Sequence, residues 1–366
     1  YFYPYALMQL PSGLLSDSWG PRNTITLFFG VAFGGSLLLG LAPSVTWAII
    51  GRTLVGVGVA MLFVPTLKIL AEWFHAREFA FMTGILMAVG GIGSLSAATP
   101  LALLSDRIGW RASFVVVGVF TLVLAILVRL LVRNRPADMG WPSPAGEESG
   151  TTPTEQASLR AGVGIVLRTP AFWPLAAWFF FDCAVFFSFG GLWGGPYMIQ
   201  VYNLGKDQTA HILSMIAVGM IVGSPLLSYV SNNVLKSRKR VLVLCSAVVV
   251  GLAAMPAFFT SRIPIVGLYL LCLGLGIFAS AVVVIGFTAN KELFPVRIAG
   301  TATGIVNLFP FAGGAIFQPI LGFVLERQGR VGESFTVEGY RQAFLLLFFC
   351  AVAAFAASLF TRETMK

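Results

Sequence analysis

The stretch Glu72-Trp-Phe-His-Ala-Arg77-Glu-Phe-Ala-Phe-Met-Thr83-Gly84-Ile85 returns 220 residues later as Glu292-Leu-Phe-Pro-Val-Arg297-Ile-Ala-Gly300-Thr-Ala-Thr303-Gly304-Ile305. The match continues without a gap through Gly93/Gly313, Leu101/Leu321 and Arg107/Arg327 to Gly109/Gly329, and Asp106/Glu326 keeps its charge. Polar landmarks at both ends of one apolar run therefore recur in phase. Two copies read in the same direction are parallel repeats, related by an axis along the membrane normal when the runs cross a bilayer.

Composition says that they do. Of 366 residues 57% are hydrophobic and only 11% charged, against roughly 25% charged in soluble domains. Apolar runs fall at 1–16, 24–43, 46–71, 79–104, 112–132, 171–199, 209–231, 241–260, 264–289, 299–324 and 341–361. A crossing helix needs about 20 apolar residues. Period-two alternation is absent from these runs, which excludes a transmembrane barrel. The expected fold is all-α and polytopic, with eleven spans visible. The first run is short. Because 220 residues hold six runs while five precede the long polar stretch, a further span is expected upstream of Tyr1.

That polar stretch begins at Asn134 and is rich in proline, glycine and glutamate, as a flexible linker is. Its end differs: Leu159, Val163, Val166 and Leu167 share a helical face, predicting a short amphipathic helix on the membrane surface. The organisation read from this is an N-terminal bundle over 1–133, a linker over 134–170 and a C-terminal bundle over 171–366. Fifteen Lys and Arg flank one set of span ends and seven the other, with Arg52 and Lys68 inside spans. The richer side carries the linker and the C-terminus and is expected to be cytoplasmic, in a cell inner membrane. The same alternation explains the net charge of +9 without nucleic acid. The cysteines 183, 245, 272 and 350 lie singly in apolar runs, and only His75 and His211 occur, so no metal site is expected. No cofactor is implied. A phosphate-binding Walker loop and a Gly-x-Ser-x-Gly elbow are both missing, arguing against an ATP-driven pump or a hydrolase.

Several short motifs now converge. Gly13-Leu-Leu-Ser-Asp17-Ser-Trp-Gly20-Pro-Arg22 resembles the loop 2–3 signature of the major facilitator superfamily, Arg52-Thr-Leu-Val-Gly56-Val-Gly58 its fourth-span motif, and Pro295-Val-Arg297-Ile-Ala-Gly300-Thr-Ala-Thr-Gly304 the entry to its eleventh span. Trp110-Arg111 also fits, and Arg135-Pro-Ala-Asp138-Met-Gly140-Trp-Pro142 is similar to the linker start of sugar-phosphate-permease-like members. The resemblance implies two pseudo-symmetric six-helix bundles, with the first visible span being span 2. It implies alternating access around a central site and a small-molecule substrate, with protons as the expected coupling ion and a monomer in the bilayer. It also implies a cytoplasmic gate. Asp17 would engage the start of span 11 near Ala299 and Gly300, Arg22 would pair with Glu72, and Arg297 with Glu292 or a neighbouring carboxylate; Arg77 belongs to the same cluster. Two departures stand out. The second copy of the loop motif, from Ser228 to Arg238, has Asn232 in place of the aspartate, and Gly90-Gly91-Ile-Gly93-Ser94 lacks the Gly-Pro of the antiporter motif.

Charges within spans mark the candidate site. Arg52 lies six residues into span 4, where burial in hydrocarbon costs about 2.5–3.5 kcal/mol, so it should face the interior. Asp182 lies deep in span 7, at a depth within ~5 Å of Arg52. They are read either as a charge pair or as an anion site beside a proton carrier. Lys68 sits about 160° around the helix from Arg52 and is assigned to a surface pair with Glu72. Gln9, Trp178, Asn290, Asn307 and Gln318 are further candidates for substrate contact. Glycines and Pro196 at the outer end of span 7 predict unwinding there. The leading function is a secondary transporter of a small organic anion or polar metabolite. An exporter of lipophilic compounds and a non-transporting membrane sensor or assembly protein remain as alternatives.

Overall fold

A computed structural model describes residues 2–142 and 159–365. All eleven expected runs are helical over most of their described length. The helices are α1 (Phe2–Ser18), α2 (Pro21–Gly40), α3 (Val45–Ala60), α4 (Phe63–Trp73), α5 (Ala76–Leu131), α6 (Leu159–Arg168), α7 (Phe172–Ser188), α8 (Gly194–Tyr202), α9 (Lys206–Tyr229), α10 (Arg238–Phe258), α11 (Ile265–Leu275), α12 (Val283–Leu293), α13 (Ala299–Arg327) and α14 (Val337–Phe360). A two-residue hairpin, β1 (Arg330–Val331) with β2 (Ser334–Phe335), joins the last two. Among the described residues nine stretches are long and apolar enough to cross a membrane. The other two expected spans are represented by α1, with 17 residues, and by Glu78–Gly93 within α5.

The 220-residue repeat is visible in the backbone. The pair α3 and α4 begins at Val45 and Phe63; the pair α11 and α12 begins at Ile265 and Val283, both displaced by 220. Each pair is broken at the same register, by a turn at Met61 and Leu62 and by a π-helical segment at Gly276–Ala281. Gly109 and Gly329 both have φ 80. A side chain is disfavoured at that angle, so one glycine bends α5 between two spans and its counterpart ends the turn after α13.

Contacts divide the chain into two compact units, one formed by 1–79, 93–168 and 294–308, the other by 80–92, 169–293 and 309–366. In the first, α2 packs along α3, where Gly35, Gly51 and Gly58 leave no room for a Cβ. Helix α6 forms where the amphipathic pattern predicted it. Val166 is fully buried and Leu167 is 41% exposed. The second unit has a core around Tyr197, Ile212, Leu268, Cys272 and Phe344. The outer end of span 7 is a correction. It does not unwind: Phe189–Trp193 takes the wider π form and α8 follows directly. The backbone stays hydrogen-bonded, and Gln318 Nε2 donates to the Phe187 carbonyl (2.9 Å) while Trp193 Nε1 donates to that of Gln318 (3.0 Å).

Candidate functional site

In the first unit, Asp17 at the end of α1 meets the first turn of α13. The opening N–H groups of a helix have no partner within it and carry partial positive charge. Asp17 takes two of them, Gly300 N at 3.1 Å and Thr301 N at 2.6 Å, and Thr301 Oγ1 adds a third bond at 2.5 Å. Lys68 Nζ closes the set with an ion pair, its side chain 6% exposed. The geometry demands glycine: a Cβ on Gly300 would collide with the Asp17 carboxylate, and one on Gly304 would lie 2.6 Å from the Gln9 carbonyl. Gly300→Ala should therefore loosen this contact, costing about 1–3 kcal/mol by overpacking; a lower thermal midpoint of the purified protein checks it.

The Lys68 assignment is corrected here. Its partner is the distant Asp17, not Glu72, and it is buried rather than at the surface. Helical spacing offers a local partner, but burying an ammonium leaves a strong demand for a close, well-placed anion. The pairing of Arg22 with Glu72 is corrected too. The Arg22 guanidinium donates to the Arg129 carbonyl, with Nε at 3.1 Å, while Glu72 is buried. The side chains of Arg77 and Arg297 lie outside the described residues.

Gln9 and Asn307 are brought together. Asn307 Nδ2 donates to Gln9 Oε1 at 2.6 Å and Gln9 Nε2 to the Ala60 carbonyl at 3.3 Å, all buried. This bond ties α1 to α13 one helical turn beyond Gly304, which accounts for both residues. Arg52 is exposed on α3.

The second unit contains the repeat's counterpart of the α1–α13 contact. Ser228 Oγ donates to the Ala80 carbonyl at 2.8 Å, and a Cβ on Gly84 would lie 3.0 Å from Ser228 Oγ. Ala80 and Gly84 are Gly300 and Gly304 displaced by 220. No carboxylate takes part, as Asn232 leads one to expect. Asn232 Oδ1 instead accepts from Arg238 Nη1 at 2.5 Å. Arg238, 1% exposed, pairs with Glu292 at 3.0 Å, so Glu292 is engaged by Arg238 and by the Thr364 hydroxyl (2.6 Å).

The C-terminal tail is anchored beside this pair. Burial pushes the Glu363 carboxyl up, but hydrogen bonds from the Ser237 hydroxyl and from the N–H groups of Met365, Arg238 and Thr364 outweigh it and hold it below the ordinary glutamate range. A group depressed in the folded state adds stability above its unfolded value and loses it as pH falls through its folded one. The anchor should thus be intact at neutral pH and weaken below the ordinary range near about 4.3. Proteolysis of the tail measured against pH checks this, and Glu363→Gln should abolish the dependence.

Asp182 and Asn290 are fully buried in the second unit. Among the described residues neither Asp182 oxygen and neither polar atom of Asn290 has a hydrogen-bond partner. Trp178, also fully buried, donates from Nε1 to Ser246 Oγ at 2.9 Å, and that bond accounts for its polar atom. Sequence reasoning missed Lys68, Thr301, Ser228 and Glu363 as partners. A signal existed for two: Lys68 lies near the end of its span, four residues before Glu72, and Thr301 directly follows Gly300.

Residues 1–318 match the family model described as Major Facilitator Superfamily. The chain belongs to that superfamily. It is 24% identical to a hexuronate transporter of Bacillus subtilis (92% of this chain, 79% of the relative) and 27% identical to a probable L-galactonate transporter of Escherichia coli (96% and 76%). A glycerol-3-phosphate transporter of Haemophilus influenzae is 23% identical (92% and 78%). Among solved structures, the E. coli fucose:proton symporter FucP shares the fold, with a TM-score of 0.73 at 15% identity over 100% of this chain and 89% of that one. The protein is thus a multi-pass membrane transporter with a small-molecule substrate, and the superfamily resemblance read from the motifs is borne out.

Proposed function

We propose that the protein is a proton-coupled secondary transporter of a small organic anion, working by alternating access as a single chain in the inner membrane. The moving parts are the bundles 1–133 and 171–366, joined by a cytoplasmic linker over 134–170. The observation that carries the coupling is Asp182: fully buried, without a hydrogen-bond partner among the described residues. An isolated carboxylate in such a place costs many kcal/mol, and protonation removes that cost. Asp182 therefore takes up a proton when its surroundings close and releases it when water reaches it. Asn290, with donor and acceptor both unused, is a polar contact waiting for a ligand in the same unit.

Arg52 supports the anion. An exposed guanidinium on a membrane-spanning helix is expensive against lipid, so it faces a hydrated path. The relatives' names point the same way, since hexuronates, galactonate and glycerol 3-phosphate are small polar anions. Asp17, at the end of α1 and bound to the first turn of α13, is the cytoplasmic gate, with Lys68 and Thr301 as its partners. Exchange of labelled galactonate in proteoliposomes tests the anion site. Arg52→Ala should lose exchange; exchange at the unsubstituted rate would remove Arg52 from the site.

A further inference from the structure

Four arginines crowd one corner of the first unit, with Asp138 the one carboxylate among them in the described residues. The Arg22 guanidinium reaches the Arg129 carbonyl, Arg129 Nη1 donates to Asn23 Oδ1 at 2.8 Å, and Arg133 Nη1 donates to the Leu130 and Val132 carbonyls at 3.0 and 3.1 Å. Arg135 follows two residues on. Arg22 feels the charges of Arg129 and Arg133, and Asp138 alone opposes them. Asp138 is already held by the Arg135 N–H at 3.2 Å. Among the described residues none of Arg22, Arg129 and Arg133 is in an ion pair. Like charges gathered at such range repel one another unless an anion sits among them.

The surroundings say which anion. Trp19 (51%), Leu130 (62%), Leu131 (74%) and Trp141 (57%) are exposed around the cluster. Trp141 packs edge-on against Trp73, 6.2 Å between centroids, and Trp73 Nε1 donates to the Arg133 carbonyl at 3.1 Å. The Trp19 carbonyl accepts from Asn23, which also binds Arg129. Cations ringed by exposed indoles and leucines at the end of a spanning helix match a headgroup and its acyl chains together; a free inorganic anion uses only the cations.

The geometry points to a binding site for an anionic phospholipid at the Arg22–Arg129–Arg133 corner, with the phosphate among the guanidiniums and the chains against Trp19, Leu131 and Trp141. The site needs only a bilayer, so it stands or falls separately from the substrate and from Asp182.

The test titrates phosphatidylglycerol into the detergent-solubilised full chain and follows the thermal midpoint. A saturable rise is expected with phosphatidylglycerol, and none with phosphatidylcholine or inorganic phosphate. Arg129→Gln with Arg133→Gln should weaken the lipid about tenfold, while Lys206→Gln with Arg262→Gln, exposed at other loops, should leave it unchanged. Arg22 is left intact because it belongs to the gate motif. An unaltered response in the first double variant would overturn the site, and an equal rise with inorganic phosphate would overturn the lipid. A second readout is independent of those variants. Brominated phosphatidylglycerol should quench a fluorescence component that Trp141→Phe removes, more strongly than brominated phosphatidylcholine; equal quenching by the two would also overturn the proposal.

Discussion

Asp17→Asn should bring active transport close to background while leaving the protein folded. The side chain keeps its size, and the sequence already tolerates asparagine at the matching place in its second copy, Asn232. The charge is what is lost. Asp17 accepts from two N–H groups at the head of α13, from the Thr301 hydroxyl and from Lys68. Hydrogen bonds to a charged group contribute about 1.5–3 kcal/mol each and are not additive. A net loss near 3 kcal/mol shifts a two-state balance by roughly a hundredfold. The state held by this contact should cease to be the resting one. Labelling of a cysteine placed at Ser16, fully buried here, checks it: reactivity should rise in the Asp17→Asn background. Lys68→Met should act in the same direction but less, because the backbone donors remain. Unchanged labelling and transport in both would mean that the α1–α13 contact is packing alone.

Asp182→Asn should separate exchange from uphill transport. The amide fills the same space but carries no proton. Counterflow of substrate between equal pools needs no net proton movement and should persist, while accumulation driven by a pH gradient should vanish. Loss of both would make Asp182 a structural or substrate-binding group, and retention of both would remove it from coupling. The effect is qualitative because Asp182 is the one carboxylate among the described membrane helices with both oxygens buried and without a hydrogen-bond partner; of Glu72 only Oε2 is in that position. Glu292, near the end of α12, is occupied by Arg238 and Thr364.

The spans, the parallel repeat and the superfamily were legible because they rest on local pattern. Twenty-residue apolar runs and a constant offset of 220 need no tertiary knowledge, and Gly109 and Gly329 show how far the offset holds, down to one backbone angle. The contact of Asp17 with the start of α13 was legible through its motif. Its partner Lys68 was not, because an i,i+4 glutamate is the best guess from spacing, whereas a buried ammonium goes to the anion that the fold brings near. Arg22 failed in the same way: the last turn of α5 placed the Arg129 carbonyl where a carboxylate had been expected. Span 7 was misread because glycine and proline weaken an α-helix without saying what replaces it. A π turn keeps the hydrogen bonds, and Gln318 with Trp193 ties it to α13.

The central claim is coupled movement of an anion and a proton, and pH recording on proteoliposomes measures it directly. Hexuronates, galactonate and glycerol 3-phosphate would be added one at a time to unbuffered vesicles carrying the protein. At least one of them should alkalinise the outside as it enters, and Asp182→Asn should silence that signal. Uptake of a neutral sugar with no proton signal, alongside inert anions, would contradict the account.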